Sequence, residues 1–295
     1  MKEIWPNFFI VGAAKAGTTS LYHYLSQHPD VYMSPIKEPH FFSQIKPAWN
    51  QKALMDVISN EKDYLKLFEN AKDEELIGEA SPSYLWDKNA YLRIKEKIPS
   101  AKIIIILRDP IERAFSHYLM DVRQGIQRKN FYDALKEDFY KKDKGWGVSH
   151  LYVELGLYFE QVNKYFNEFG SENIYIITFE KFINDINSSM KEICQFLSID
   201  ISFVDNLNDS EVLNSFAMPR SFFLQQILNY SGIKKILRPL LSEQTKKKFR
   251  KILLKSGEKE KIENNAYDFL YDLYKNDVSR LKRYLNDSAR WKNFL

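Results

Sequence analysis

Lys15 stands inside a run of small residues, 12–17 (GAAKAG), and Thr18, Thr19 and Ser20 follow it directly. Ala13, Ala14, Ala16 and Gly17 leave the backbone around the lysine unshielded. One full positive charge, three hydroxyl donors and an open backbone are what a bound phosphate or sulfate requires. A second group stands at Arg108 and Ser116, where a guanidinium and a hydroxyl near a helix start suit a dianionic phosphate. A third is the string SPIKEPHFF (34–42), which presents a carboxylate, Glu38, and an imidazole, His40, beside Lys37.

Each group needs an element to aim it. Residues 8–11 (FFIV) form a short apolar run that feeds the loop without a spacer, the pattern of a buried strand in a parallel sheet. Leu21, Tyr22, Leu25 and His28 recur at helical spacing, so the loop opens a helix. Strand, small-residue loop and helix together form the geometry in which backbone N–H groups converge on an anion. Residues 31–34 read as extended, and Pro35 and Pro39 then stiffen a non-helical loop at the carboxyl end of that strand, the ligand-binding side of an open α/β sheet. Phe41 and Phe42 are the expected plug that holds this loop to the core. Residues 103–107 (IIIIL) are a central-strand candidate that ends at Arg108. Asp109 is placed as an N-cap, Pro110 at the first helical position and Glu112 as the returning member of a capping box. Ile111, Ala114, Phe115, Tyr118, Leu119 and Val122 give the helix one apolar stripe, and Ser116 lies off it.

The remaining elements are expected as helices at 61–70, 131–140, 155–169, 188–197 and 266–285, with strands at 76–80 and 174–179. Cys194 is expected as an inert core residue. Taken alone, the residues leave a plainer reading open at each place: a surface lysine on an ordinary strand–turn–helix, an incidental acid on a surface loop, a surface arginine beside a well-capped helix.

Composition limits the classes. The chain has 295 residues, 44% of them hydrophobic, enough for one large domain or a domain with an appendage. A single cysteine excludes an intramolecular disulfide framework and suits a reducing compartment. No apolar run approaches the roughly 18–20 residues of a membrane span. The sequence enters its first strand too early to accommodate a signal peptide, so a cytoplasmic location is expected. The five histidines show no metal spacing, and neither a GxGxxG string nor an aromatic-and-basic nucleic-acid platform is present. No metal and no nucleic-acid partner are therefore expected. The net charge of +4 conceals a basic segment, 234–255, which carries nine Lys or Arg against Glu243 alone and leaves the rest of the chain net acidic. That segment reads as an amphipathic cationic cap, either a solvated face or a peripheral contact for an anionic surface or acidic acceptor.

The 12–19 string is similar to the P-loop pattern GxxxxGK[ST], but Thr18 occupies the lysine position and the lysine has moved to 15. A nucleotide hydrolase needs Lys beside Thr for its phosphates and Mg²⁺, and an apolar strand ending in Asp; this chain offers Arg108 there. The loop instead resembles the 5′-phosphosulfate loop of sulfotransferases that use 3′-phosphoadenosine 5′-phosphosulfate. KEPHFF is similar to the segment that carries the catalytic glutamate in heparan-type sulfotransferases and their bacterial relatives. LRDPxERxxSxY resembles the family's 3′-phosphate motif, with Arg108 and Ser116 in the matching positions, and GLYFEQV and ITFEKF extend the likeness to about residue 200. Two anion sites, each after a parallel strand, fit a nucleotide charged at both its 5′ and 3′ ends.

The resemblance implies a three-layer, P-loop-like α/β fold with a mainly parallel central sheet flanked by helices, a core over 1–200 and a helical C-terminal extension over 201–295 packed on the same domain. It implies transfer of a sulfuryl group to a hydroxyl or amine of a carbohydrate, lipid or small-metabolite acceptor. Lys15, Ala16, Gly17, Thr18, Thr19, Ser20, Arg108 and Ser116 would bind the donor, with Arg220 a further nucleotide contact. Glu38 would be the base, Lys15 would stabilise the leaving oxygen, and His40 would orient Glu38 or the acceptor, or compete with Glu38 as base, since cytosolic relatives use histidine. Relatives often carry a catalytic lysine where this chain has Ala80, which puts a second lysine at that position in doubt and leaves Lys37 as a substitute. The alternatives are a P-loop kinase or NTPase and a non-catalytic anion- or membrane-binding protein.

Overall fold

The structure is a computed structural model that describes residues 3–43, 45, 57–72, 74–207, 218–219, 254–255, 261–285 and 291–294. Its centre is a parallel sheet of five strands, β1 (Phe8–Gly12), β2 (Val31–Met33), β3 (Leu76–Ala80), β4 (Lys102–Leu107) and β5 (Ile174–Thr178), in the order β2–β3–β1–β4–β5. β1 is therefore central, and its neighbour β4 carries the second anion-binding candidate.

Alternation along the strands decides which layer each side chain joins. Phe9, Val11, Ile103, Ile105 and Leu107 enter one core, and Phe8, Ile10, Ile104, Ile106 and Ile177 enter the other. Because both faces are covered, the strands carry near-continuous apolar residues rather than a polar alternation. Leu21, Tyr24 and Leu25 of α1 (Thr18–Leu25) lie on the second face. The short α2 (Glu61–Leu65), α3 (Ser83–Trp86) and α4 (Ala90–Lys97) belong to the first face. They are joined there by α5 (Pro110–Gln124), α6 (Phe131–Tyr140) and α7 (Tyr158–Phe169). α8 (Phe179–Asn184) and α9 (Ile186–Leu197) return to the second face, where Cys194 is fully buried and its thiol is pushed up to about 11 by burial. α10 (Asn264–Leu281) lays Ala266, Leu270, Tyr274, Val278 and Leu281 into the first core, so this late helix shares the interior of the sheet domain. The three-layer α/β expectation is met.

The details differ where tertiary contacts decide. The helix expected over 155–169 begins at Tyr158, after a 3₁₀ turn at Glu154–Gly156. Gly156 passes so close to Tyr274 that a Cβ there would lie 2.6 Å from the phenol oxygen. β5 stops at Thr178 because that hydroxyl caps α8, accepting from the Lys181 N–H at 3.3 Å. α9 starts two residues earlier than expected, with Asp185 as its N-cap. Asp109 caps α5 as expected, accepting from Ile111 and Glu112, but the capping box is not closed by Glu112. The Asp109 N–H donates to Glu180, from α8, at 3.1 Å.

Met218–Pro219 and Leu254–Lys255 pair as two short antiparallel strands, β6 and β7. Arg220 and the basic segment up to residue 253 lie outside the described residues. Among the described residues, no helix is long and apolar enough to cross a membrane.

Candidate active site

A cleft of about 1040 Å³ opens at the carboxyl ends of β1, β3 and β4. Lys15, Gly17, Thr18, Thr19, Ser20, Lys37, Glu38, His40, Arg108 and Ser116 all line it. The three groups of residues singled out from the sequence thus share one cavity. Ala16 is the exception: its methyl is fully buried in the first core, so its contribution is a small side chain that lets the loop close on the sheet.

The β1 loop is shaped by left-handed residues. Gly17 has φ 96° and Lys15 has φ 67°. Gly17 tolerates this at no steric cost, and an added Cβ would also strike the Phe179 ring at 2.8 Å. The Ala13 N–H is used on Ile106 O and the Ala16 N–H on Ala13 O. The first turn of α1, which starts at Thr18, supplies amides that have no partner within the helix. No acidic residue lies in that turn, so the helix end keeps its positive character for an anion.

Lys15 is half-buried, and its ammonium sits 3.3 Å from the Met120 sulfur. Burial, followed by the nearby Arg123 and Arg108, lowers its pKa to about 8. Arg108 comes within reach of the same loop: its Nη1 donates to the Lys15 carbonyl at 3.3 Å. Its guanidinium stacks over Phe179 at 4.9 Å and lies 3.7 Å from Glu112. Its own carbonyl accepts from the Tyr158 hydroxyl at 2.9 Å. Burial pushes the Arg108 pKa down, although Glu112 and Glu180 offset part of the effect. The cleft therefore gathers positive charge from two strand ends and holds it partly out of water, where an arriving anion is favoured most.

On the opposite wall the Lys37–His40 loop is fixed in an unusual backbone. Glu38 and His40 both adopt positive φ, 65° and 57°, on either side of Pro39. The Glu38 N–H donates to Ala80 O at 3.0 Å, which pins the loop to the end of β3. The Glu38 carboxylate pairs with Lys37, and its other oxygen lies 3.8 Å from His40 Nε2. Glu38 keeps 35% of its side chain exposed, whereas His40 keeps 4%, so Glu38 is the group that a substrate can reach. His40 Nδ1 shares a 2.7 Å hydrogen bond with Ser83, which is in turn 2.6 Å from Ser43. Burial lowers the His40 pKa to about 4, and the imidazole is neutral at ordinary pH. The expected aromatic plug is present: Phe42 is buried and Phe41 stacks on Tyr64 at 4.2 Å.

Ala80 is fully buried against the second core, so no cation arises from that position; Lys37, on the neighbouring loop, reaches the cleft. Beneath it lies Glu79, which the sequence reading passed over. Glu79 is fully buried, accepts from Tyr64 at 3.2 Å and Ser81 at 3.1 Å, and burial raises it to about 7. Ser81 also accepts from the His40 N–H at 3.1 Å, so this buried carboxylate braces the loop that carries Glu38 and His40. The serine-rich string after β3 was the only available signal. A further cluster, also unread, closes the far end of the cleft: Asp121 accepts from His150 at 2.6 Å and from Tyr152 at 2.8 Å.

Comparison with known proteins bears on this arrangement. A family model described as a sulfotransferase domain matches residues 6–282. Carbohydrate sulfotransferase 15 of Mus musculus is 26% identical over 247 residues, covering 66% of this chain and 44% of the relative. Heparan sulfate glucosamine 3-O-sulfotransferase 6 of Homo sapiens is 26% identical over 199 residues, covering 66% of this chain and 53% of the relative. The chain thus spans about half the length of these relatives. Among solved structures, a sulfotransferase from Alicyclobacillus acidocaldarius superposes with a TM-score of 0.73 at 29% identity, covering 97% of this chain and 98% of that one. The mouse sulfotransferase SULT7A1 complexed with PAP gives 0.50 at 17% identity, covering 95% and 88%, and shares the fold.

Proposed function

The chain belongs to the sulfotransferase domain family, and from that premise we propose that it moves a sulfuryl group from 3′-phosphoadenosine 5′-phosphosulfate to a hydroxyl or amine acceptor. The observation that carries the reading is the contact between Arg108 and the Lys15 carbonyl, which joins two cationic receptors into one cleft. A donor with anions at both ends of one adenosine needs such a pair. The 5′-phosphosulfate would lie on Lys15 and the Gly17–Ser20 amides and hydroxyls. The 3′-phosphate would lie on Arg108 and Ser116.

Glu38 is the proposed base. In the transfer the acceptor oxygen or nitrogen forms a bond to sulfur as the bond from sulfur to the bridging phosphate oxygen breaks. The acceptor proton passes to Glu38, and the leaving electron pair stays on the phosphate, opposite Lys15. His40, neutral and held by Ser83, lies 3.8 Å from the far oxygen of the same carboxylate, close enough to orient Glu38 as an acceptor arrives. The relatives named for carbohydrate and heparan sulfate substrates support a glycan as the acceptor class. A nucleotide kinase is the less favoured reading, because Thr18 stands where its lysine would be needed.

Two measurements test this. Calorimetric titration should show tight binding of adenosine 3′,5′-bisphosphate and weak binding of Mg²⁺–ATP; the reverse order would sink the assignment. Glu38→Gln should lower turnover by about 10²–10⁴-fold with donor affinity nearly unchanged. Unaltered turnover in that variant would remove Glu38 from the mechanism.

A further inference from the structure

The segment 291–294 lies beside the proposed 3′ receptor, with Trp291 turned inward and Lys292 at the surface. Trp291 is 3% exposed and its indole N–H donates to Glu180 Oε2 at 2.9 Å. The other oxygen of that carboxylate accepts the Asp109 N–H. The Trp291 ring also packs on Tyr158, at 5.9 Å between centroids. Tyr158 is the residue whose hydroxyl holds the Arg108 carbonyl. The peptide group between Arg108 and Asp109 is therefore gripped at both its polar ends, the carbonyl by Tyr158 and the N–H by Glu180, and one tryptophan backs both grips.

Lys292 adds an electrostatic contact. Its ammonium lies 3.2 Å from Glu112 Oε1, while Glu112 Oε2 is the oxygen near the Arg108 guanidinium. An uncompensated carboxylate at this place would repel a phosphate dianion and would compete with it for Arg108. Lys292 offsets that charge. Phe294 anchors the segment, its ring stacked 5.5 Å from Tyr271 of α10.

We propose that residues 291–294 form a strap that positions Arg108 for the 3′-phosphate, with Trp291 fixing the backbone beneath the arginine and Lys292 neutralising Glu112. The strap is a device for donor selectivity: it sharpens discrimination between an adenosine that bears a 3′-phosphate and one that lacks it, without touching the nucleotide. It rests on the proposal that Arg108 reads the 3′ group.

The test is a calorimetric comparison of adenosine 3′,5′-bisphosphate with adenosine 5′-monophosphate on the full chain. Trp291→Phe keeps an aromatic ring, smaller than the indole, and removes the N–H; it should weaken bisphosphate binding about 3–10-fold and leave the monophosphate unchanged. Lys292→Ala, at a side chain that is 72% exposed, carries little folding risk and should weaken the bisphosphate about 2–5-fold, with the loss fading at high salt. Retained monophosphate affinity in each variant doubles as the folding control. Arg108→Ala is run beside them. If Arg108→Ala keeps the wild-type preference for the bisphosphate, the donor assignment itself is wrong. If Arg108→Ala loses that preference while Trp291→Phe or Lys292→Ala retains it in full, the strap proposal is overturned and the donor assignment stands.

Discussion

At the end of β1 the proposed anion receptor is made of backbone, small residues and one lysine; at the end of β4 it depends on one guanidinium held from several sides. The first has room, a left-handed loop and the open amides of α1. Its charge is a partly buried ammonium whose pKa has fallen to about 8, so it sits near the edge of deprotonation until an anion arrives. The second has a permanently charged side chain fixed by Phe179, the Lys15 carbonyl and Glu112. A field that strengthens as negative charge accumulates suits the end of the donor where a bond breaks. A rigid, planar fork suits the end where a phosphate sits unchanged throughout.

That division can be tested from its strongest consequence downward. Lys15→Ala should lower turnover about 10²–10³-fold, since it removes the charge opposite the leaving oxygen, while affinity for adenosine 3′,5′-bisphosphate falls about tenfold or less. If affinity collapses and turnover at saturation does not, the two receptors have exchanged roles. Arg108→Ala should do the converse, weakening the bisphosphate about 10–100-fold while turnover at saturating donor stays near wild type, as measured by initial rates alongside calorimetry.

The smallest effect is a proton. An anion bound beside Lys15 raises its pKa above the free value of about 8. Just above pH 8 the free enzyme carries a partly neutral amine, and binding must return the missing fraction of a proton. Calorimetry in buffers of different ionisation enthalpy should show uptake of less than one proton per bisphosphate near pH 8.5, a smaller uptake near pH 7.5, where the phosphates are still almost fully ionised, and none at either pH in Lys15→Ala. For turnover the sign is a fall as pH rises through the pKa of the donor complex, because the useful form is the protonated one.

The β1 loop and the start of α5 were legible in the sequence because their determinants are local. Gly12, Lys15 and Gly17 stand next to the strand they extend, and Asp109 caps the helix it precedes. What failed to show was the set of polar contacts made across the chain. The Asp109 N–H is satisfied by Glu180, and Glu112, the expected local partner, turns instead to Arg108 and Lys292. Nothing in the spacing of residues 109 and 180 announces that pair. Tyr158 is fully buried, yet its hydroxyl supports the arginine on which the second proposed receptor depends, a role its spacing does not announce. Glu79 was signalled only by the nearby serines, since its partner Tyr64 comes from another element and its altered pKa is a product of burial.

β1 and β4 are paired neighbours, and both receptors grow from their ends. Adjacent strands lie about 4.8 Å apart whatever their side chains. On the proposed reading, the spacing between the two ends of the donor is thus gauged chiefly by the sheet itself. The far wall of the cleft, including Trp146 and His150, is loop, and loops can be exchanged at little cost to the core. On the proposed reading, such a frame lets the acceptor side vary while the donor side stays fixed.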